Sequence, residues 1–248
     1  WIGTAGGGLN KYDPAVNKFT RYYFKTPSKE LFGSIINSIA KDTNGNIWIG
    51  TNNDGLIKLD PETGEYKRFT HDPDNLESIS NNTITVVYVD KKGNIWIGTK
   101  EEGLNLFIPE TQKFKIYKHN PQNSSSISGN SISAIIEGND GVLWIGTMYS
   151  YLNYFDPEKE VFIKHHENIP QSIFSLKLTG QDSLWVSTGF RGLFLYNISK
   201  RSIKRFYSGT NKGMLSYNTI LSLFKDRDGN LWIGTSGKGV NIYSPNKK

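Results

Sequence analysis

The sequence of 248 residues contains no cysteine, two methionines and four histidines. The absence of cysteine excludes disulfide bonds, thiolate metal ligands and cysteine nucleophiles. No stretch approaches the roughly 18 consecutive apolar residues of a membrane-spanning helix. Neither sign of charge dominates, since 29 lysines and arginines face 23 aspartates and glutamates. The net charge of +6 permits an anionic partner without requiring one.

Glycine and aromatic residues are abundant, with 25 glycines and an aromatic content of 13%. This composition favours many short strands joined by tight turns over a helical bundle. The hydrophobic fraction of 36% and the charged fraction of 21% indicate a globular rather than a disordered chain. A chain of this length can form one large all-β domain.

All six tryptophans open the same four-residue motif. Trp-Ile-Gly-Thr occurs five times and Trp-Val-Ser-Thr once, at intervals of 41 to 48 residues. The motifs begin at Trp1, Trp48, Trp96, Trp144, Trp185 and Trp232. A recurring period of this length indicates a repeat architecture.

Each repeat predicts four short strands, with the tryptophan in the second. An apolar stretch and a turn of Asp, Asn and Gly precede the tryptophan, and two alternating runs separated by Asp-Pro follow it. Alternation with a period of two indicates strands with one packed face. The turn residues tolerate positive φ or bond to their own backbone. The pattern therefore predicts an all-β fold, a β-propeller of four-stranded antiparallel blades.

The chain begins at a second strand and ends after a third strand, which predicts 22 strands, or about five and a half blades. We expect a single propeller section over 1–248 that forms part of a longer array, either seven-bladed or tandem. The blade motifs lie near 1–24, 34–70, 82–118, 130–165, 171–207 and 217–244.

The repeat closely resembles the two-component regulator propeller repeat. Residues 42–51 and 55–61 read Asp-x-x-Gly-Asn-Ile-Trp-Ile-Gly-Thr and Gly-Leu-x-x-x-Asp-Pro, and the connectors 71–82 and 119–130 share the resemblance. The sequence departs from the repeat at 182–184, where the Gly-Asn turn is lost. It departs again at Tyr151, where the other repeats have glycine.

The resemblance implies the periplasmic sensor region of a hybrid two-component system of Bacteroidetes. Such regions usually contain two seven-bladed propellers, followed by an immunoglobulin-like domain, a membrane span and a histidine kinase. Their ligands are typically oligosaccharides released from glycans. The resemblance therefore implies an oligosaccharide partner, contact with the membrane only through segments outside this sequence, and the option of a homodimer in the intact receptor.

The repeated residues are predicted to be structural. A tryptophan in every second strand should pack between neighbouring blades. The threonine that ends each motif should satisfy backbone groups at strand ends. Asp42, Asp90 and Asp226 should form turns, because they lack the oxygen count and spacing of a calcium loop.

We expect no catalytic residue, no cofactor and no metal site. His71 and His119 occupy equivalent positions and should be architectural, and the pair His165-His166 has no identifiable third ligand. Carboxylates recur at turn positions, whereas a catalytic residue should be unique to one blade. Lysines and arginines are spread along the fourth strands and do not form the single stripe that a nucleic-acid site needs.

The loops between the second and third strands differ from blade to blade, and variable loops on a rigid scaffold commonly carry function. Tyr149, Tyr151 and Phe190 stand where other blades have small or polar residues. Together with Arg191 they should form one patch on which a sugar ring stacks. Further candidate ligand-binding residues in equivalent loops are Lys100, Asn52 and Lys238.

The sequence thus predicts a non-catalytic, extracytoplasmic sensing domain that binds glycan-derived oligosaccharides and signals to a kinase outside this chain. A scaffold or protein-interaction propeller without a small-molecule ligand is the alternative. A propeller carbohydrate-active enzyme is a third interpretation. Glycan binding separates the first two functions, and turnover assays address the third.

Overall fold

The computed structural model describes residues 1–24, 35–165, 169, 171–211 and 213–245. These described residues form 22 strands and no helix. The chain divides into two compact units, Trp1–Lys118 and His119–Lys248. Each unit holds three antiparallel sheets in which the strands lie side by side in chain order.

The first unit contains one three-stranded and two four-stranded sheets. Sheet 1 consists of β1 (Ile2–Gly3), β2 (Leu9–Asp13) and β3 (Lys18–Tyr22). Sheet 2 consists of β4 (Ile36–Lys41), β5 (Ile47–Thr51), β6 (Leu56–Leu59) and β7 (Tyr66–Phe69). Sheet 3 consists of β8 (Ile84–Val89), β9 (Ile95–Thr99), β10 (Leu104–Ile108) and β11 (Lys113–Tyr117).

The second unit contains two four-stranded sheets and one three-stranded sheet. Sheet 4 consists of β12 (Ile132–Glu137), β13 (Leu143–Thr147), β14 (Leu152–Asp156) and β15 (Val161–His165). Sheet 5 consists of β16 (Ile173–Leu178), β17 (Ser183–Thr188), β18 (Leu193–Asn197) and β19 (Ser202–Phe206). Sheet 6 consists of β20 (Ile220–Lys225), β21 (Leu231–Thr235) and β22 (Val240–Tyr243).

The predicted all-β propeller of antiparallel blades is confirmed, and so is the count of 22 strands. In the described part of the chain, sheet 1 lacks a first strand and sheet 6 lacks a fourth, as the sequence predicts. The description as five and a half blades is wrong, because six separate sheets are present. Three strands suffice for a sheet here since each pairs with its neighbour along the chain.

The tryptophans of the four-stranded sheets are buried, and Trp48, Trp144 and Trp185 contact rings of the next sheet. Trp48, Trp96, Trp144 and Trp185 are at most 3% exposed, which confirms the predicted burial. The Trp48 ring lies 4.9 Å from Phe107 of the next sheet and 6.0 Å from Phe69 of its own sheet. In the end sheets, by contrast, Trp1 and Trp232 are 37% and 40% exposed.

The predicted aspartate turns are confirmed, and each carries a second role. Asp42 accepts the main-chain N–H of Asn46 at Oδ1 and the indole N–H of Trp48 at Oδ2, 2.8 Å away. Asp90 and Asp226 bind their tryptophans in the same way. Sheet 5 has no aspartate at this position; the hydroxyl of Thr179 accepts the indole N–H of Trp185 instead. The turn therefore fixes the orientation of the interior tryptophan.

The glycine of the tryptophan motif allows adjacent sheets to approach closely. A Cβ added at Gly50 would lie 2.6 Å from Cγ2 of Ile84, the first residue of β8 in sheet 3. The same separation holds between Gly146 and Ile173. Sheet 5 has Ser187 at this position, and its buried hydroxyl has no hydrogen-bond partner among the described residues.

The long connectors 70–83 and 118–131 are both bonded to the sheet that follows them. The buried side chain of Asn105 donates to the hydroxyl of Ser80 and accepts the main-chain N–H of the same serine, at 2.9 and 3.0 Å. Asn153 and Ser128 repeat this pair in the second unit. The ring of His71 bonds to the carbonyl oxygen of Ile79 within its own connector. The ring of His119 does likewise with Ile127, so the architectural role predicted for both histidines is confirmed.

The motif threonines also have their predicted role. Each hydroxyl donates to the main-chain oxygen four residues later, across the loop between the second and third strands. The two ends of this loop are thereby held together in the same way in every blade.

We predict that Trp96→Ala lowers the free energy of unfolding by about 3–5 kcal/mol, because a fully buried indole is removed and a cavity remains. Trp232→Ala is the matched control, since the same motif position is partly exposed there, and its cost should be less than half as large. Denaturant unfolding of both variants measures the difference. Equal costs would contradict the packing role.

We also predict that Trp232→Phe raises the pKa of Asp226. The indole N–H of Trp232, assisted by Asn230, holds the pKa of this carboxyl below its ordinary value of 3.8, and phenylalanine keeps an aromatic ring but donates no hydrogen bond. A lowered pKa stabilises the fold above the ordinary pKa, and this stabilisation is lost as the pH falls through the folded value. An NMR titration of the Asp226 carboxyl measures the midpoint; an unshifted midpoint would contradict this assignment.

Candidate functional site

The repeat departs from its own pattern at two linked positions in the second unit. In sheet 2, Gly55 donates its main-chain N–H to the carbonyl oxygen of Asn82 in the following connector, at 3.0 Å. Gly192 and Asn218 form the same bond after sheet 5. At the equivalent positions of sheet 4, Tyr151 replaces the glycine and Gln171 replaces the asparagine. Both partners of one recurring contact are therefore changed together.

The backbone around Tyr151 is rearranged accordingly. The equivalent glycines have positive φ, for example +76° at Gly55, whereas Tyr151 lies outside that region. Its N–H donates to the hydroxyl of Ser128 in the preceding connector, and its carbonyl oxygen accepts from Thr147 and Asn153. The main chain of the loop is thus bonded to the connector before it, at Ser128.

The following connector is also short. Seven residues, 166–172, join β15 to β16, whereas fourteen, 70–83, join β7 to β8. At its end, Ser172 has a φ of +66°, a conformation that non-glycine residues adopt at a cost of about 1–3 kcal/mol. Strain of this kind often accompanies functional sites, where the surrounding structure enforces it.

These changes coincide with a surface pocket of about 350 Å³. The lining residues come from the loop of sheet 4, the connector and the loop of sheet 5: Tyr151, Ile169, Gln171, Ser172, Phe190 and Arg191. We call it the connector pocket. Phe190 is 79% exposed at its mouth, and Tyr151 is half-buried. The pocket therefore combines two aromatic rings, one cation, an amide and a hydroxyl.

Three of the seven sequence-predicted candidates, Tyr151, Phe190 and Arg191, line the connector pocket. Tyr149 is 77% exposed but does not line it. Lys238 lies in sheet 6, where its main-chain oxygen accepts from Ser216. Two more candidates belong to the first unit: Asn52 donates its N–H to Ile35, and Lys100 lies 3.9 Å from Glu101.

Sequence reasoning missed Ile169, Gln171 and Ser172. Two signals pointed to them: the connector is half the usual length, and glutamine replaces the asparagine that stands two residues before β8, β12 and β20. The positive φ of Ser172 has no sequence signal, because serine rarely adopts that conformation.

None of the described histidines lines the connector pocket. His165 lies in ring contact with Trp144, Tyr154 and Tyr196, in a cluster where burial raises the pKa of both tyrosines. His166 lies outside the described residues. Within the described ranges, no group of three or more His, Asp or Glu side chains is placed to hold a metal ion. A search of the same residues finds no helix with the length and apolar character of a membrane span.

Four segments of the chain match the family model described as "Two component regulator propeller": residues 30–53, 78–101, 126–149 and 214–237. The fold is a β-propeller, and these four repeats are two-component regulator propeller repeats, as their sequence resemblance indicated. The units at Trp1 and Trp185 lie outside the matched segments.

Among solved structures, the chain is similar to the extracellular domain assigned to the hybrid two-component system BT3049 of B. thetaiotaomicron. The identity is 28% and the TM-score 0.74, over 85% of this chain and 28% of that chain. The chain therefore spans less than a third of that protein's length. No curated protein sequence matches it.

Two more distant structures share the fold alone. PorZ, an essential surface component of the type-IX secretion system of Porphyromonas gingivalis, is 20% identical with a TM-score of 0.74, over 97% of this chain and 36% of that one. Virginiamycin B lyase from Staphylococcus aureus is 14% identical with a TM-score of 0.72, over 96% and 74%.

We predict that Tyr151→Gly changes the thermal midpoint little, whereas Gly103→Tyr destabilises the chain. Gly103 has a φ of +86°, and a Cβ there would lie 2.3 Å from the carbonyl oxygen of Tyr117. The backbone conformation alone costs about 1–3 kcal/mol for a non-glycine residue. Thermal unfolding compares the two variants. Similar midpoints would show that the loop of sheet 4 is not specially rearranged.

Proposed function

We propose that this chain is a non-catalytic, ligand-sensing part of a hybrid two-component regulator and that it binds glycan-derived oligosaccharides in the connector pocket. The similarity to an extracellular domain assigned to such a system supports the sensor role. The observation that carries the ligand assignment is that Tyr151 and Phe190 line the same pocket, at the place where the sequence departs from the repeat.

The chemistry of the pocket suits a sugar. The apolar C–H face of a pyranose ring stacks on an aromatic ring, and its hydroxyls need neighbouring donors and acceptors. Tyr151 and Phe190 offer the rings, while Gln171 and Ser172 offer an amide and a hydroxyl. A structural blade has no evident need for an aromatic ring that is 79% exposed at Phe190.

Signalling requires a kinase outside this chain. Ligand binding shifts a receptor between two arrangements only when its affinity differs between them. We propose a periplasmic location and a dimeric intact receptor that responds to occupancy of the connector pocket.

We further propose that the blades belong to a longer array. Phe107 and Phe114 of sheet 3 are 5% and 6% exposed, but the equivalent Tyr12 and Phe19 of sheet 1 are 40% and 63% exposed. Trp232 of sheet 6 is likewise exposed, unlike its interior equivalents. A blade of the same repeat would cover such faces, since exposed apolar patches of this kind mark contact surfaces.

The alternative is a scaffold or protein-interaction propeller. Leu76, at the tip of a long connector in the first unit, is 88% exposed and favours this function. Under this alternative, oligosaccharides would not bind, and a partner protein would contact the exposed connectors.

We predict that the double variant Tyr151→Ala and Phe190→Ala binds a responsive oligosaccharide at least tenfold more weakly, because two stacking rings are removed and each is worth about 1 kcal/mol. Calorimetry against a panel of neutral and acidic oligosaccharides measures the affinity. Tyr149→Ala is the matched control, since it removes an exposed ring that does not line the pocket, and its affinity should stay within twofold. A panel without any binder would contradict the function, and an unaltered affinity would place the site elsewhere.

A further inference from the structure

Two sheets of the first unit neutralise the loop between their second and third strands with an internal ion pair. In sheet 2, Asp54 precedes the loop glycine and lies 3.7 Å from Arg68 on the fourth strand. Arg68 also donates to the main-chain oxygen of Asp54, at 2.9 Å. In sheet 3, Glu102 pairs at 2.6 Å with Lys118, just after the fourth strand. In both sheets the acidic residue that precedes the loop glycine is thus matched by a basic residue at the end of the same sheet.

Sheet 5 keeps this arrangement of the backbone but reverses the charge of the loop. Arg191 stands at the position of Asp54, and Arg205 stands at the position of Arg68. Arg205 still donates to the main-chain oxygen of the loop residue, at 2.9 Å. Its guanidinium also lies over the rings of Phe194 and Tyr207, which fixes its position. The acid of the pair has therefore been replaced by a second arginine.

Within the described part of the chain, this replacement leaves the positive charge of the loop without a matching acid. Among the described residues, neither Arg191 nor Arg205 forms an ion pair. None of the described residues lining the connector pocket is acidic, and Arg191 is its one charged member. Arg205 is bonded to the main chain of Arg191, so both positive charges belong to the same loop region, where a bound anion would offset them. A guanidinium also binds a carboxylate through two parallel hydrogen bonds.

We propose that the connector pocket is specific for acidic saccharides, with Arg191 binding a sugar carboxylate beside a ring stacked on Phe190 or Tyr151. This proposal rests on the proposed function and names its ligand class. Arg205 acts as a positioning residue, since it holds the loop of Arg191 and adds to the positive potential without lining the pocket. A neutral saccharide would satisfy the rings but leave the charge of Arg191 exposed to water alone.

The test compares matched ligands that differ only in charge. Oligosaccharides of galacturonate, glucuronate or mannuronate are each paired with their methyl ester, which retains the ring, the linkage and the stacking face. Calorimetry at 50 mM NaCl should show the acid binding at least tenfold more tightly than its ester. The ratio should fall at 500 mM NaCl, because salt screens charges at an exposed site.

Variants test the role of Arg191. Arg191→Asp restores the acid of sheet 2, which can pair with Arg205, and it should abolish the preference for the acid over the ester. Lys238→Asp is the matched control, because it reverses a charge at the same loop position of sheet 6, away from the connector pocket. It should retain the preference. Thermal unfolding confirms that both variants are folded.

The outcomes separate this proposal from the function on which it rests. Equal binding of acid and ester, with both weakened by Tyr151→Ala and Phe190→Ala, would overturn the acidic specificity and leave the oligosaccharide site standing. A preference for the acid that survives in Arg191→Asp would also overturn it. If neither the acidic oligosaccharides nor their neutral esters bind, both proposals are contradicted.

Discussion

Within each of the two units, the packing of a tryptophan between adjacent sheets is the interaction on which the rest of the structure depends. Burial of the indole requires a partner for its N–H, which Asp42, Asp90 or Thr179 provides from the turn six residues earlier. It also requires sheets that approach closely, which the motif glycine permits at Gly50 and Gly146. A turn, a strand and an inter-sheet distance are therefore consequences of one buried ring.

Most of the fold was predictable from the sequence because the repeat supplies several copies of every signal. The spacing of tryptophans predicts the sheets, and the alternation within each repeat predicts all 22 strands. What the sequence did not reveal is pairing between residues far apart along the chain. Asn105 and Ser80 look like ordinary polar residues until the fold places them in contact, and the role of Asp42 toward Trp48 is hidden behind its role in the turn.

The candidate site was predictable only in part, because contacts between residues far apart in the sequence were again hidden. Tyr151, Phe190 and Arg191 stood out because they break a repeated pattern. Gln171 and Ser172 lie in a shortened connector, and their approach to Tyr151 depends on the path of that connector, so it required the structure. The charge reversal at Arg191 became meaningful only once Asp54 and Arg68 were seen to pair. In a repeat protein, departures from the pattern locate candidate sites, and contacts decide which departures act together.

The bond between the connector serine and the next sheet, at Ser80 and at Ser128, has a consequence for how the molecule unfolds. Ser80 follows sheet 2 in the chain, but its side chain and its N–H are committed to Asn105 of sheet 3. A connector should therefore unfold together with the sheet that follows it, not with the sheet that precedes it. Protection against amide exchange should change inside the sequence repeat, not at its borders. A fragment cut at a sheet boundary leaves a buried amide without its hydroxyl, so a well-behaved fragment begins upstream of the connector serine.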